Sequence, residues 1–183
     1  MSLGVRSEGG MVEHSRTGAV HLIRMQKHKN TLEPAFLRAM HAALDLVAAD
    51  GEGPAALVVV GNDRFFSNGL DLQLLPQLPL AEREQVGRLI TTLLGRLLLL
   101  PVPVVAAVNG HAFAGGAFLA MAADFRVMRE DRGWFCVSEV DVGVPIGYSM
   151  LAAKERANFG WIKSTSNRRV ARLRGVDEAR PAV

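Results

Sequence analysis

One stretch near the middle of the chain decides the fold: Pro103-Val-Val-Ala-Ala-Val-Asn-Gly-His-Ala-Phe-Ala-Gly-Gly-Ala-Phe-Leu-Ala-Met-Ala-Ala-Asp-Phe-Arg126. Residues 104–108 are apolar and rich in valine, which predicts a buried strand, and residues 117–123 favour a helix. Gly115 and Gly116 lie between them, and without Cβ atoms they allow a sharp turn and close approach by a ligand. The free N–H groups of a helix start suit negative charge. Glycine pairs at such turns also often serve packing alone.

A second glycine turn, Arg64-Phe-Phe-Ser-Asn-Gly-Leu-Asp-Leu72, follows the apolar run 56–60 and precedes another helical segment. Two such turns can face one ligand. At these residues the chain resembles the crotonase superfamily, in which an F-S-x-G-x-D-L turn and a G-x-x-x-G-G-x-x-x-A-x-x-x-D turn bind an acyl-CoA thioester. Residues 109–116 together with Asp124 fit the second motif. The resemblance extends over residues 18–145.

The resemblance implies the residues of a thioester site. We expect the backbone N–H groups of Leu70 and Gly115 to form an oxyanion hole that binds the thioester oxygen of an acyl-CoA substrate. The other residues expected to contact the substrate lie in the same two turns and are Ser67, Asn68, Gly69, Asp71, Gly116 and Phe118.

Side chains near the turns indicate which reaction to expect. A hydratase of this superfamily carries a glutamate two residues after the glycine pair, where this chain has Phe118, and phenylalanine can neither accept a proton nor hold a water molecule. Residues 129–143 resemble the Δ3,Δ2-enoyl-CoA isomerases, especially the peroxisomal plant-type branch, with Glu139 at the position of their single catalytic glutamate. An apolar pocket raises a carboxyl pKa towards neutrality, so one group can act as base and then as acid. Asp141 is the alternative base.

The composition is typical of one globular domain, because 49% of the 183 residues are hydrophobic and 21% are charged. Cys136 is the only cysteine and cannot form an internal disulfide, and the scattered histidines indicate no metal site. The longest apolar run, 97–108, contains two prolines and is shorter than the ~20 residues of a membrane-spanning helix. We expect no membrane span, and no cofactor, since coenzyme A is part of the substrate.

Predicted strands and helices alternate along the chain, which favours a parallel sheet with covering helices. Strands are predicted at 19–24, 56–60, 104–108 and 125–128, and helices from Pro34 to the glycines near 51, at 81–100 and at 117–123. We expect Asn30 or Thr31 to cap the first of these helices and residues 97–100 to be buried. The resemblance makes the fold an α/β spiral of crotonase-like β-β-α turns.

Three segments are predicted: a loose lead-in at 1–15, a crotonase-like core at 16–151 and a basic tail at 152–183. The lead-in lacks the apolar segment of a signal peptide. Residues 154–183 hold eight basic and three acidic residues, a net charge of +5, so the rest of the chain carries −2 of the total of +3. The family's C-terminal helices, which build part of the acyl pocket and the trimer contacts, are not recognisable after Leu151. The C-terminus therefore resembles an altered or truncated one.

The resemblance implies fatty-acid β-oxidation, a peroxisomal location and a homotrimer, although the chain ends Arg-Pro-Ala-Val, which is no peroxisomal address, so the cytoplasm is the alternative. Two other functions stay open: an inactive or regulatory acyl-CoA-binding fragment, and an enoyl-CoA hydratase. Nucleic-acid binding by the tail is not expected, because its arginines have few aromatic residues between them and a solvated helix face explains them equally well.

Overall fold

The computed structural model describes residues 3–50 and 55–138 of the chain. Glu139, Asp141 and the basic tail 152–183 lie outside the described residues. The described part is an α/β structure with a large sheet, a small sheet and three α-helices, so the predicted fold class is confirmed. None of these three helices has the length and apolar content needed to cross a membrane.

The strands and helices follow one another in a repeated order. The strands are β1 (Leu3–Arg6), β2 (Val12–Thr17), β3 (Val20–Met25), β4 (Ala56–Val60), β5 (Phe65–Ser67), β6 (Val104–Val108), β7 (His111–Phe113), β8 (Phe125–Met128) and β9 (Phe135–Cys136). The helices are α1 (Pro34–Ala48), α2 (Leu80–Leu99) and α3 (Gly115–Met121), with short 3-10 turns at Glu8–Gly10 and Leu75–Gln77.

The two sheets explain how the chain spirals. The large sheet has the order β1-β2-β3-β4-β6-β8, and its last four strands run parallel. The small sheet has the order β5-β7-β9 and is also parallel. Each of β4, β6 and β8 leads directly into a strand of the small sheet, so every turn of the spiral carries the chain from the end of one sheet into the other.

Helix α1 covers one face of the large sheet. Its apolar side chains recur at helical spacing and form one buried stripe, made of Leu37, Met40, Leu44 and Val47 together with Phe36. They share one core with alternate side chains of the sheet, namely Ile23, Met25, Leu57 and Val59. Burying each such large side chain contributes about 1.5–3 kcal/mol, so this layer supplies much of the folding free energy.

The predicted loose lead-in is wrong for most of residues 1–15. Residues 3–6 form β1, and β2 begins at Val12 and pairs with β3 along its whole length, from Val12 opposite Met25 to Thr17 opposite Val20. The polar composition of this segment does not predict the strand, because alternate residues of β2 face the core and only Val12 and His14 among them are buried.

Two smaller predictions also fail. The residue before α1 is Glu33, with no side-chain cap, whereas the expected cap Asn30 is fully buried and its Nδ2 donates to the carbonyl oxygens of Phe65 and Phe66. At the end of α2, Leu97 is buried but Leu99 is 81% exposed. Two residues span about 200° of an α-helix, so both cannot face the core.

A pair of buried histidines on β2 and β3 connects these two strands with the residues that follow α1. His14 Nε2 lies 3.0 Å from His21 Nδ1, His21 Nε2 lies 2.8 Å from Asp50 Oδ2, and Arg16 donates to the other carboxylate oxygen of Asp50 at 2.7 Å. These side chains form one chain of polar contacts from β2 through β3 to the residue at the end of the first helical segment. Burial lowers the pKa of His14 from its ordinary value of 6.5, and the nearby His21 lowers it further, against the opposing effect of Asp50.

We predict that the free energy of unfolding falls as the pH is lowered through about 6.5. Below that pH the unfolded chain binds a proton on His14 that the folded chain resists, because the folded pKa is lower. The loss stops once the pH passes the folded pKa. Urea denaturation between pH 7.5 and 5.5 measures this, and His14→Gln should flatten the dependence. An equally steep dependence in His14→Gln would contradict this role of the histidine.

Candidate functional site

The first glycine turn follows β5 and is hydrogen-bonded to the segment between β3 and α1. Ser67 is fully buried, and its Oγ–H donates to the carbonyl oxygen of Asn30 at 2.7 Å. Gly69 has a φ of +73°, in the left-handed region that favours glycine, and its N–H donates to Ser67 Oγ at 3.2 Å. The turn is therefore tied to the protein by a buried polar side chain.

The second turn joins β7 to α3 through an unusual residue. Ala114 has φ 51° and ψ −124°, a conformation that costs a non-glycine residue about 1–3 kcal/mol. Its N–H donates to the carbonyl oxygen of Cys136, and its own carbonyl accepts from Ala117 and Phe118. This strained bend ends the strand and starts the helix at once, which leaves the N–H of Gly115 at the helix N-terminus.

The two turns touch each other. A methyl group added at Gly69 would lie 2.9 Å from the backbone nitrogen of Gly115, and one added at Gly116 would lie 2.8 Å from Ser67 Cβ and closer still to the Ser67 carbonyl oxygen. A methyl at Gly115 would lie 2.7 Å from Leu32 Cδ1. Gly69 and Gly116 are thus needed for packing, because a methyl group at either would meet backbone atoms, whereas at Gly115 the Leu32 side chain could move aside. This packing brings the two predicted oxyanion-hole segments into contact.

The predicted donors have no protein acceptor among the described residues. Neither the Leu70 N–H nor the Gly115 N–H donates to a backbone or side-chain acceptor within residues 3–50 and 55–138. Most buried or half-buried N–H groups in proteins have a partner, so a neighbouring pair without one suits a ligand oxygen. The prediction that both belong to an oxyanion hole remains a prediction.

The other predicted contact residues have roles in the protein itself. Asp71 Oδ1 accepts from the N–H groups of Leu74 and Gln73, each at 3.0 Å. The bond from Leu74 is the largest cause that lowers the pKa of Asp71, and the charges of Lys27 and Lys29 contribute. Asp71 therefore caps the turn before Leu75–Gln77, and its contact with a substrate stays a prediction.

Phe118 is 1% exposed and packs in the core, so its side chain has no open face in the part of the chain described. Asn68 is half-buried, and its N–H donates to the carbonyl oxygen of Lys29 at 3.0 Å. Contacts of these two residues with a substrate stay predictions. Glu139, the predicted base, lies outside the described residues.

Two polar residues of the second motif make hydrogen bonds to the backbone at the ends of strands. Asn109 makes a pair of hydrogen bonds with the backbone of Gly61, at 3.0 Å to its N–H and 3.1 Å to its carbonyl. Asp124 Oδ2 accepts from the N–H of Val104 at 2.9 Å, at the start of β6. These polar residues of the motif fix the strands on which the turn rests, while its glycines form the turn.

Two open grooves lie along α1 and α2, with volumes of about 450 and 430 Å³. The first is lined by Arg38, His41, Asp45 and Arg88 among others, and the second by residues near the end of α2. No residue of the two glycine turns lines either groove. The candidate site is therefore defined by the backbone of the two turns.

We predict opposite effects of alanine at two helical glycines. Gly116→Ala should lower the free energy of unfolding by about 1–3 kcal/mol, because the added methyl overlaps the carbonyl of Ser67. Gly95→Ala is the control, since a methyl there meets nothing within 4 Å among the described residues, and it should raise stability by about 0.5–1 kcal/mol. Chemical denaturation measures both, and an equally stable Gly116→Ala protein would contradict the close contact of the turns.

Comparisons with known proteins agree with this geometry. Residues 15–157 match the family model described as enoyl-CoA hydratase/isomerase. The peroxisomal enoyl-CoA delta isomerase 1 of Arabidopsis thaliana is 35% identical over 115 residues, 62% of this chain and 48% of that protein. The short-chain-enoyl-CoA hydratase of Clostridium acetobutylicum is 31% identical over 130 residues, 71% of this chain and 49% of that protein.

A solved structure is similar in three dimensions. The apo enoyl-CoA isomerase of Mycobacterium tuberculosis is 36% identical with a TM-score of 0.71, covering 81% of this chain and 63% of that one. The chain spans about half the length of the curated relatives that it matches. With the family model matching more than half of its residues and the two glycine turns in contact, this chain belongs to the enoyl-CoA hydratase/isomerase family of the crotonase superfamily.

Proposed function

We propose that this chain binds 3-enoyl-CoA thioesters and shifts their double bond to the 2-position, as a Δ3,Δ2-enoyl-CoA isomerase of fatty-acid β-oxidation. The observation that carries the proposal is the contact between the two turns. It places the N–H groups of Leu70 and Gly115, which lack protein acceptors in the described residues, on adjoining backbone segments. A thioester oxygen that becomes negative during reaction is the ligand such donors suit.

The proposed reaction needs one proton carrier. The thioester acidifies C2, the Glu139 carboxylate removes a proton there, and the electron pair moves onto the thioester oxygen to give an enolate. The same carboxyl group then returns the proton to C4, so the double bond moves from C3–C4 to C2–C3 and no atom is gained or lost. Two backbone donors stabilise the enolate, and each typically contributes ~10²- to 10³-fold to the rate.

Phe118 favours isomerisation over hydration. A hydratase must also position and activate a water molecule, and the family resemblance puts a second carboxylate for that task where this chain has Phe118. The Phe118 side chain is a hydrocarbon ring without a polar atom, so it offers neither a proton acceptor nor a hydrogen-bonding group for water, and it is buried in the core. The similar proteins include both isomerases and hydratases, so the choice of reaction rests on this residue and on Glu139.

We predict that one preparation isomerises 3-enoyl-CoA much faster than it hydrates 2-enoyl-CoA. Both rates are measured with the same protein at the same acyl chain length. Dominant hydration would overturn the isomerase assignment. Binding of both acyl-CoAs with neither reaction would instead favour the alternative of an inactive or regulatory acyl-CoA-binding fragment.

We predict that Glu139→Gln lowers the isomerisation rate by at least ~10²-fold and leaves acyl-CoA affinity nearly unchanged. Glutamine keeps the size of the side chain but cannot carry the proton, and such a loss in kcat alone marks a group that acts in the transition state. Asp141→Asn is the matched control, since it also removes one carboxylate close by in the sequence. Full activity in Glu139→Gln, with loss in Asp141→Asn, would make Asp141 the base.

The oligomer and the compartment stay predictions from the resemblance. It implies a homotrimer, which light scattering on the full chain measures. The Arabidopsis relative is named as a peroxisomal protein, and we propose the same location for this chain.

A further inference from the structure

The segment 29–32, between β3 and α1, holds the first glycine turn through three hydrogen bonds. The N–H of Asn68 donates to the carbonyl oxygen of Lys29 at 3.0 Å, and the N–H of Leu32 donates to that of Gly69 at 2.8 Å. Between these two backbone bonds, the Ser67 hydroxyl donates to the carbonyl oxygen of Asn30 at 2.7 Å. We call residues 29–32 the clamp.

The bond from Leu32 fixes the direction of the proposed oxyanion donor. The carbonyl of Gly69 and the N–H of Leu70 belong to one planar peptide unit, which is trans. In a trans unit the C=O and the N–H point in opposite directions. Since the Gly69 oxygen points at the Leu32 N–H, the Leu70 N–H must point away from the clamp.

Ser67 fixes the preceding peptide unit, Asn68–Gly69, and so holds Gly69 from its other side. Its oxygen accepts from the N–H of Gly69 while its hydrogen goes to Asn30, so one buried hydroxyl connects the clamp to the residue before Leu70. Ser67 is 0% exposed, and water cannot replace either bond. Loss of the hydroxyl would leave two buried polar groups without partners and let the Gly69–Leu70 peptide rotate.

Asn30 presents its carbonyl to Ser67 because of an uncommon backbone conformation. Its φ is +47°, which asparagine tolerates better than most residues. Its side chain secures that conformation: Nδ2 donates to the carbonyls of Phe65 and Phe66 on β5, at 3.1 and 3.0 Å, and to that of Met25 at 3.3 Å. The clamp and the strand before the turn are thereby held as one unit.

We propose that Ser67 and Asn30 are positioning residues that aim the Leu70 N–H at the thioester oxygen of the substrate. This inference rests on the proposed function, because it assigns a task to the oxyanion hole of that reaction. For Ser67 this positioning role replaces the substrate contact that the resemblance implies, because its side chain is 0% exposed and its hydroxyl is hydrogen-bonded to Asn30 and Gly69. In this account neither Ser67 nor Asn30 touches the substrate. A preorganised donor stabilises the enolate more than the substrate, and a displacement of about 1 Å can cost ~10²-fold in rate.

The test compares Ser67→Ala with Asn62→Ala. Asn62 is a matched control, because it also fastens this loop to β5: its Nδ2 donates to the carbonyls of Lys27 and His28, and its Oδ1 accepts from the N–H of Phe65. Within the described part of the chain, no hydrogen bond joins Asn62 to the turn at 67–70. Both variants therefore lose loop hydrogen bonds, and only one loses those that orient Leu70.

The probe is acetoacetyl-CoA, whose enolate has an ultraviolet absorbance that the keto form lacks. The unmodified protein should bind it largely as the enolate. Ser67→Ala should reduce the bound enolate fraction about tenfold and kcat for 3-enoyl-CoA by ~10- to 100-fold, with KM and the affinity for a saturated acyl-CoA within about threefold. Asn62→Ala should match the unmodified protein in all four, whatever its thermal stability. Should Ser67→Ala fold poorly, Ser67→Cys, which keeps a weak donor, should give an intermediate enolate fraction.

Each other outcome decides against the inference in a distinct way. Unchanged enolate fraction and kcat in a folded Ser67→Ala protein would overturn the positioning role and leave the proposed function intact. Equal losses in Ser67→Ala and Asn62→Ala would assign the effect to general loosening of the loop and also overturn it. If the unmodified protein binds acetoacetyl-CoA only in the keto form, the oxyanion hole itself is wrong, and the positioning role fails with it.

Discussion

The contact between the two glycine turns is the constraint on which the rest of the structure depends. Gly69 lies against Gly115, and Gly116 lies against Ser67, at separations that leave no room for a side chain. The same absence of Cβ atoms lets the backbones approach and exposes their N–H groups, so packing and the proposed binding role are two consequences of one geometry. The glycine pair therefore serves packing and, in our proposal, a ligand as well.

The spiral brings these turns together although they are more than 40 residues apart. Strands β4 and β6 are parallel neighbours, so the segments that follow them leave the same edge of the large sheet and enter the small sheet side by side as β5 and β7. Asn109, which follows β6, hydrogen-bonds to the backbone of Gly61, which follows β4. These bonds align the ends of the two strands, so the segments that follow them leave the large sheet next to each other. The clamp adds the third element, because it is the chain that follows β3 in the same sheet.

Periodicity and glycine placement predicted β3, β4, β6 and β8, the helices and the two turns, because those signals are local. They did not predict β1 and β2, because polar residues dominate that part of the sequence. The short strands β5 and β7 were missed, since three residues cannot show a period. Asn30 was assigned as a helix cap because Asn before a helix commonly caps it, and its real partners on β5 lie 35 and 36 residues away. A residue of this kind is recognised by its buried polar side chain. That burial comes from distant parts of the chain, so it is visible only once the fold is known.

The central claim is that the backbone of the two turns polarises a thioester carbonyl. Infrared difference spectroscopy of the full chain with an acyl-CoA labelled with ¹³C at C1 tests it most directly, because the stretching frequency of that carbonyl reports the hydrogen bonds it accepts. The account predicts a shift to lower frequency on binding, relative to the same thioester in water. A bound acyl-CoA whose carbonyl frequency equals that in water would contradict it.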